Sequence, residues 1–290
     1  MKIFYTKVRL RIPESVREYA VSVMLDIGFE GFQEEDDAME AWIRSDRYSA
    51  DVRKGLEDWL GSQPDECRIL EEETVAERNW NEEWEKTIQP MQIGPFFIHP
   101  TWADESPPKY TIPIAIDPKM AFGTGYHETT RLMLRLIPDF VRKGDTLLDM
   151  GAGTGVLGIA ALKMGAGRAV GIDIDPWSYD NALENAKING LAERLEIRIG
   201  SVDQLKPDEQ FNLILANINR NILLDLGDAL VEKLATGGNL LLSGIVEGDE
   251  EVIFAHPAYR SLEKCSMLQE NEWLGIGLSR IIGSRSAEIT

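Results

Sequence analysis

The run Leu147-Leu148-Asp149-Met150-Gly151-Ala152-Gly153-Thr154-Gly155-Val156-Leu157, followed by Gly171-Ile172-Asp173-Ile174-Asp175, constrains this chain more than any other feature. An apolar stretch ends in a glycine-rich turn, a helix-compatible stretch follows from Gly155 to Met164, and a second apolar stretch ends in an acid. That order is a βαβ unit. Glycines permit positive φ and close approach of a ligand, and the new helix presents free N–H groups across the turn. Asp173, eighteen residues after Gly155, falls where one carboxylate can accept both hydroxyls of a ribose. The unit reads as a nucleoside site; the alternative is a glycine-rich turn with no ligand.

Spacing narrows the nucleoside. A dinucleotide fold uses G-x-G-x-x-G so that a pyrophosphate can sit on the helix N-terminus. Here the pattern is Asp149-x-Gly151-x-Gly153-x-Gly155. A carboxylate beside a pyrophosphate is repulsive, whereas beside the ammonium and sulfonium of S-adenosylmethionine it is favourable.

Composition limits the remaining classes. With 290 residues and 43% hydrophobic content the chain can bury a sizeable core, and its length suggests two domains. No stretch is long and apolar enough to span a membrane, and the first residues lack a signal-peptide pattern, so a cytoplasmic location is expected. Cys67 and Cys265 make no disulfide framework, and His99, His127 and His256 are scattered, so no metal is expected. Forty-nine acidic against 30 basic residues give a net charge of −19. Such a surface repels a phosphate backbone and attracts a basic protein, although charge of this size also serves simple solubility.

Organisation divides near residue 75. Residues 2–12 alternate in strand fashion, a helix begins at Pro13-Glu14-Ser15 and stops at Gly28, and strands follow near Gly31 to Glu34 and Met39 to Arg44. A second helix from Ala50 to Leu60 and a strand from Cys67 to Leu70 complete βαββαβ, the order of a ferredoxin-like α+β domain over residues 1–74. Thr74 to Lys86 reads as a linker helix with Trp80 and Trp84 one turn apart, so residues 75–88 are assigned as a linker. Residues 88–117 supply short strands. From Thr146 strands and helices alternate: helix Pro176 to Asn189, strands Leu195 to Ile199 and Phe211 to Asn217, helix Asn221 to Leu234, strand Asn239 to Ile245. Leu262 to Leu268 and Trp273 to Ile282 read as a closing hairpin. Residues 89–290 are therefore expected to form an α/β domain with a Rossmann-like sheet ending in an antiparallel strand.

A parallel sheet finished this way is the arrangement of the seven-stranded S-adenosylmethionine-dependent methyltransferases. Ala121-Phe122-Gly123-Thr124-Gly125-Tyr126-His127-Glu128-Thr129-Thr130-Arg131, the Asp149 to Gly155 turn, Gly171 to Pro176 and Ala216-Asn217 together closely resemble the PrmA family, the bacterial methyltransferases of large-subunit ribosomal protein L11. The likeness extends to Trp80, Glu83 and Trp84 and covers nearly the whole chain. It implies transfer of methyl groups to protein amines, the N-terminal amine and lysine side chains, with a basic ribosomal protein as partner. Direct nucleic-acid or membrane binding is not expected, and the protein is expected to be a monomer. The resemblance also implies that Thr130, Gly151, Asp173 and Asn217 bind the cofactor; Gly153, in the same turn, is added as a further contact.

Chemistry agrees with those positions. The start of the helix at Glu128-Thr129-Thr130 offers free N–H groups to a carboxylate, and Thr130 offers a hydroxyl, though a helix cap is the plainer reading of that residue. Asn217 ends a strand at the edge where ligands of such sheets lie, and its side-chain oxygen can hold an N–H of the acceptor amine. Asn217-Ile218-Asn219-Arg220 lacks the Asn-Pro-Pro-Tyr of many amine and adenine methyltransferases, which weakens a nucleobase-stacking reading and leaves amine positioning open. His127 is a candidate to orient or deprotonate the amine, or else a loop hydrogen-bonder. Trp273 is a candidate pocket wall or a core residue, Asp203 a partner for the adenine or a loop acid, and Asp175-Pro176 a helix cap. A nucleic-acid methyltransferase, a nicotinamide oxidoreductase and an inactive cofactor-binding scaffold are the competing functions.

Overall fold

A computed structural model describes residues 4–34, 38–63, 67–76, 88–119 and 121–281, in two compact units, Met1–Glu82 and Glu83–Thr290. In the first, β1 (Phe4–Arg11), α1 (Glu14–Asp26), β2 (Gly31–Glu34), β3 (Met39–Arg44), α2 (Ala50–Gly61) and β4 (Arg68–Ala76) follow in the expected order. The strands pair antiparallel as β2-β3-β1-β4, which is the ferredoxin-like order. Alternation in β1 and β3 sends Val8, Leu10, Met39, Ala41 and Ile43 to one face, where Ala20 and Met24 of α1 and Leu56 and Leu60 of α2 cover them. Ser49 caps α2 by accepting the Val52 N–H at 3.3 Å.

The last strand is longer than its sequence suggests. Thr74, Val75 and Ala76, assigned above to a linker helix, instead extend β4, opposite Thr6, Tyr5 and Phe4 of β1. An available strand edge satisfies their backbone groups, and that ladder overrides the helical pattern that the acidic residues beyond suggest. Trp80, Glu83 and Trp84 lie outside the described residues.

The second unit opens with a small sheet, β5 (Met91–Ile93), β6 (Phe96–His99) and β7 (Ile112–Ala115). Then come α3 (Glu128–Phe140), β8 (Thr146–Met150), α4 (Val156–Lys163), β9 (Arg168–Asp173), α5 (Pro176–Ile188), β10 (Leu195–Ile199), β11 (Phe211–Asn217), α6 (Arg220–Lys233), β12 (Leu234–Val246), α7 (Asp249–Ala255), α8 (Pro257–Arg260), β13 (Glu263–Glu270) and β14 (Trp273–Ser279). The strands form a seven-stranded sheet in the order β10-β9-β8-β11-β12-β14-β13, with β14 antiparallel to both its neighbours. This is the Rossmann-like methyltransferase sheet with its closing hairpin. Successive strand residues face opposite layers: Leu147, Leu215 and Leu241 join α3, α4 and α5, while Leu148, Ile214 and Leu240 join Leu223 and Leu230 of α6 and Tyr259 of α8. All five strands from β10 to β12 run parallel, but strand order reverses between β8, whose next strand in the chain lies on one side, and β11, whose next lies on the other. Ligands of such sheets bind outside the carboxyl ends at this switch.

Three asparagines fasten α5 to the segment after β7. Asn189 accepts from Ala115 N at 3.1 Å and donates to its carbonyl at 2.7 Å. Asn185 accepts from Asp117 N at 3.0 Å and donates to Thr154 O at 3.0 Å, and Asn181 donates to Asp117 O at 2.7 Å. Spaced i, i+4, i+8, they present one polar row that satisfies backbone no strand covers. The signal was in the sequence, as Asn181, Asn185 and Asn189, but only the tertiary placement of residues 115–117 gives it meaning. Asn185→Ala, which strands a half-buried N–H and a buried carbonyl, should cost about 1–3 kcal/mol, read from the denaturant midpoint.

Candidate active site

Three glycines with φ of +75°, +53° and +78° (Gly151, Gly153, Gly155) carry the chain from β8 into α4. A Cβ on Gly151 would lie 2.4 Å from Ile218 Cγ2, and one on Gly153 would lie 2.3 Å from the Phe122 carbonyl oxygen. From spacing alone, ligand approach is the expected reason for these glycines. In the fold they are demanded first by the protein itself, since the residue after Asn217 presses on Gly151, the 121–127 loop on Gly153 and Ala182 of α5 on Gly155. Thr154 secures the contact, its N–H donating to Phe122 O at 2.8 Å and its hydroxyl to Gly123 O at 2.7 Å.

Asp173, ending β9, turns its carboxylate to the same turn. Oδ2 accepts the Gly153 N–H at 2.8 Å and Oδ1 the Asp175 N–H at 3.0 Å. Each oxygen retains a second acceptor direction, so two vicinal hydroxyls can be met without breaking either bond. Asp175 caps α5, accepting from Trp177 N at 3.2 Å and Ser178 N at 3.1 Å, with Pro176 in the first turn. Asp203 is exposed and engaged within its own loop by Ser201 N at 3.0 Å and Gln204 Nε2 at 2.7 Å.

Asp149 departs from its sequence reading. Expected beside a cationic ligand, it is fully buried beneath the turn, where Oδ2 accepts the Gly158 N–H at 2.9 Å and Oδ1 has no partner among the described residues. Its place in the strand aims the side chain at the first turn of α4 rather than at the crevice. Burial pushes its pKa up to about 8; the Gly158 bond opposes this and the Asp173 charge adds to it.

Thr130 and Asn217 come together. Thr130, in the first turn of α3, is fully buried, and Asn217 Nδ2 donates to its hydroxyl at 3.4 Å. That bond orients the amide, leaving Asn217 Oδ1 without a partner among the described residues and therefore able to accept. The helix cap is His127, not Thr130: its Nδ1 accepts the Thr129 N–H at 3.3 Å and lies 2.9 Å from the Thr129 hydroxyl. A neutral ring that accepts at Nδ1 carries its proton on Nε2, so the free nitrogen is a donor rather than a base. The His127 ring stands edge-on to Trp273 with centroids 4.9 Å apart and tilted to Phe122 at 5.3 Å.

Two couples thus form directly, Gly153 with Asp173 and Thr130 with Asn217, at the carboxyl ends of β8, β9 and β11. Phe122 and Ile218, whose backbone and side chain shape the turn, were missed as site-forming residues because neither carries a reactive group. No group of three or more His, Cys, Asp or Glu able to hold a metal occurs among the described residues. The arrangement fits an adenosyl group: an acid for a ribose, a glycine turn beside it, and polar groups on the far side of the turn.

Known proteins match this chain along most of its length. The family model for ribosomal protein L11 methyltransferase (PrmA) matches residues 13–280. A ribosomal protein L11 methyltransferase of Porphyromonas gingivalis is 36% identical over 272 residues, covering 91% of this chain and 90% of that protein. One from Chlorobaculum parvum is 34% identical over 278 residues, covering 93% and 94%. The crystal structure of a ribosomal protein L11 methylase from Lactobacillus delbrueckii subsp. bulgaricus superimposes with a TM-score of 0.62 at 33% identity, covering 67% of this chain and all of that one.

Asp149 generates a pH prediction. The folded chain holds the proton more tightly than the unfolded chain, whose value is near 3.8. The resulting stabilisation is full below that value and is lost as pH rises through about 8. Asp149→Asn keeps an acceptor for Gly158, so its urea midpoint should fall less than that of the unaltered protein between pH 5 and pH 8. Parallel pH profiles would contradict the assignment.

Proposed function

The chain belongs to the ribosomal protein L11 methyltransferase family, and from that membership we propose that it transfers methyl groups from S-adenosylmethionine to amine nitrogens of ribosomal protein L11, the N-terminal amine and lysine side chains. The cofactor supplies a methyl group on a sulfonium, a good leaving centre for in-line displacement. In this reading Asp173 accepts the ribose hydroxyls, Gly151 and Gly153 let the backbone pass close to the nucleoside, and Thr130 lies toward the methionine end.

The acceptor must arrive neutral. A lysine amine with a reference pKa of about 10.4 keeps its proton in water, and partial burial favours the uncharged form. Asn217 then orients the lone pair by accepting an N–H at Oδ1, while its Nδ2 stays on Thr130 at 3.4 Å. That orientation of Asn217 is the observation that carries the reading. His127, with Nδ1 committed to the helix start, is assigned to walling and orienting the amine through Nε2–H rather than to removing its proton.

The remaining assignments follow from the same reading. The ferredoxin-like unit, which contains no cofactor motif, is assigned to recognising the protein substrate, with a linker joining it to the methyltransferase domain. A surface of net charge −19 suits a basic ribosomal protein better than nucleic acid. No described helix is long and apolar enough to cross a membrane. Work as a monomer in the cytoplasm completes the proposal.

Incubation with radiolabelled S-adenosylmethionine, purified L11 and ribosomal RNA tests it: label should enter the protein and resist ribonuclease, whereas label in RNA overturns the protein-amine reading. Asp173→Ala should weaken S-adenosylhomocysteine binding by about tenfold to hundredfold in calorimetry, the worth of a charge-assisted hydrogen bond. Asn217→Ala should instead lower kcat by at least about tenfold and change that affinity far less, because amine orientation matters mainly in the transition state.

A further inference from the structure

One guanidinium ties together the three segments that bound the acceptor side. Arg131, one turn beyond His127 on α3, donates through Nη1 to the Tyr126 carbonyl, the residue before the helix cap. Its Nε donates to Glu270 Oε1 at 2.7 Å and its Nη2 lies 2.6 Å from the same oxygen. Nη2 also stands 3.3 Å from Glu128 Oε1, which accepts from Asn271 Nδ2 at 3.1 Å. Arg135 adds a second cation to Glu270, Nη1 to Oε2 at 2.8 Å, at ion-pair distance but off the hydrogen-bond line.

Glu270 sits at the tip of the β13–β14 hairpin, directly opposite Trp273 in the strand register. A shift of Glu270 therefore shifts Trp273, whose ring meets His127 at 4.9 Å. Arg131 and Glu270 are only 21% and 22% exposed, so solvent screens their pairing less than it screens an ordinary surface ion pair. The planar fork is needed, because a lysine cannot reach Glu270 and the Tyr126 carbonyl in two fixed directions. None of these bonds touches the glycine turn or Asp173. The body of α3 is anchored separately by Leu132, Met133, Leu136 and Ile137 in the core.

We propose that Arg131 and Glu270 are a positioning pair: together they hold His127 against Trp273 and so fix the acceptor-side wall, governing turnover without contacting cofactor or amine. The inference rests on the amine-methyltransferase reading of this site. Without the pair the hairpin tip and the 124–127 stretch of the loop can drift independently, and an amine so presented spends less time aligned with the methyl group.

The test uses the full chain with Glu270→Ala, Glu270→Gln, Arg131→Lys and the double variant Arg131→Lys/Glu270→Ala. Glu270→Ala and Arg131→Lys should each lower kcat on L11 by about tenfold, with S-adenosylhomocysteine affinity within about threefold of the unaltered protein. Glu270→Gln, which keeps an acceptor for Arg131, should recover part of the loss. The double variant should be no slower than the worse single one, because both act through one contact. Hydrogen exchange should quicken at residues 124–131 and 270–273 and stay unchanged at 151–155, where Thr154 keeps its bonds to Phe122 and Gly123. Losses that multiply in the double variant, an undiminished kcat, or cofactor affinity falling in step with turnover would overturn the pairing. The exchange measurement needs no substrate: if L11 is not methylated by the unaltered protein, the functional reading fails while the coupling of loop and hairpin is still decided, and unchanged exchange in Glu270→Ala refutes that coupling.

Discussion

Everything at the carboxyl edge of the large sheet depends on how closely three stretches of backbone approach one another. Gly151 and Gly244 both face Ile218: a Cβ on the first would lie 2.4 Å from its side chain, and one on the second 2.3 Å from its carbonyl oxygen. Gly153 meets the Phe122 carbonyl just as tightly, at 2.3 Å from where its Cβ would be. With side chains at these positions the loop before α3, the β8–α4 turn and the strand end carrying Asn217 could not share one crevice. Steric room, rather than any single strong bond, sets the site. The hydrogen bonds that Thr154 donates and that Asp173 accepts then hold what the glycines allow.

Electrostatics are divided between two acids, Asp149 at β8 and Asp173 at the end of β9, that differ in role as well as place. Asp173 is partly exposed, with one backbone donor on each oxygen and a second acceptor direction left on each, which suits it to hydroxyls. Asp149 is buried, half satisfied and protonated over much of the physiological range, its pKa raised to about 8. It secures the start of α4 through Gly158 and costs stability once ionised. The large negative charge of the surface therefore does not reach into the turn as a second carboxylate anion beside the nucleoside.

Much of the fold was legible because it rests on local patterns. Apolar runs of five to seven residues separated by amphipathic helices spell a parallel sheet, and only Gln269 to Glu272 separate the last two runs, which forces a hairpin. At the end of β4 the acidic stretch beyond Ala76 suggests a helix, but β-branched Thr74 and Val75 suit a strand and pair with the free edge of β1. Among the site residues, the glycines, Asp173 and Asn217 announce themselves by type and spacing. Phe122, Ile218, Arg131 and Glu270 do not, since a carbonyl, a methyl group or one end of an ion pair 139 residues long in sequence has no local signature.

By itself the sequence determined most of the element order, the nucleoside motif and the family likeness, because hydrophobic period and turn chemistry act over a few residues; the short helices α7 and α8 had no such signal. Only the tertiary structure decided which atoms are free to act. It turned Asp149 inward, made His127 a helix cap whose remaining nitrogen donates, and tied Asn217 to Thr130 so that its oxygen can accept. Those outcomes depend on burial and on partners from distant segments, and neither is written in the spacing of neighbouring residues.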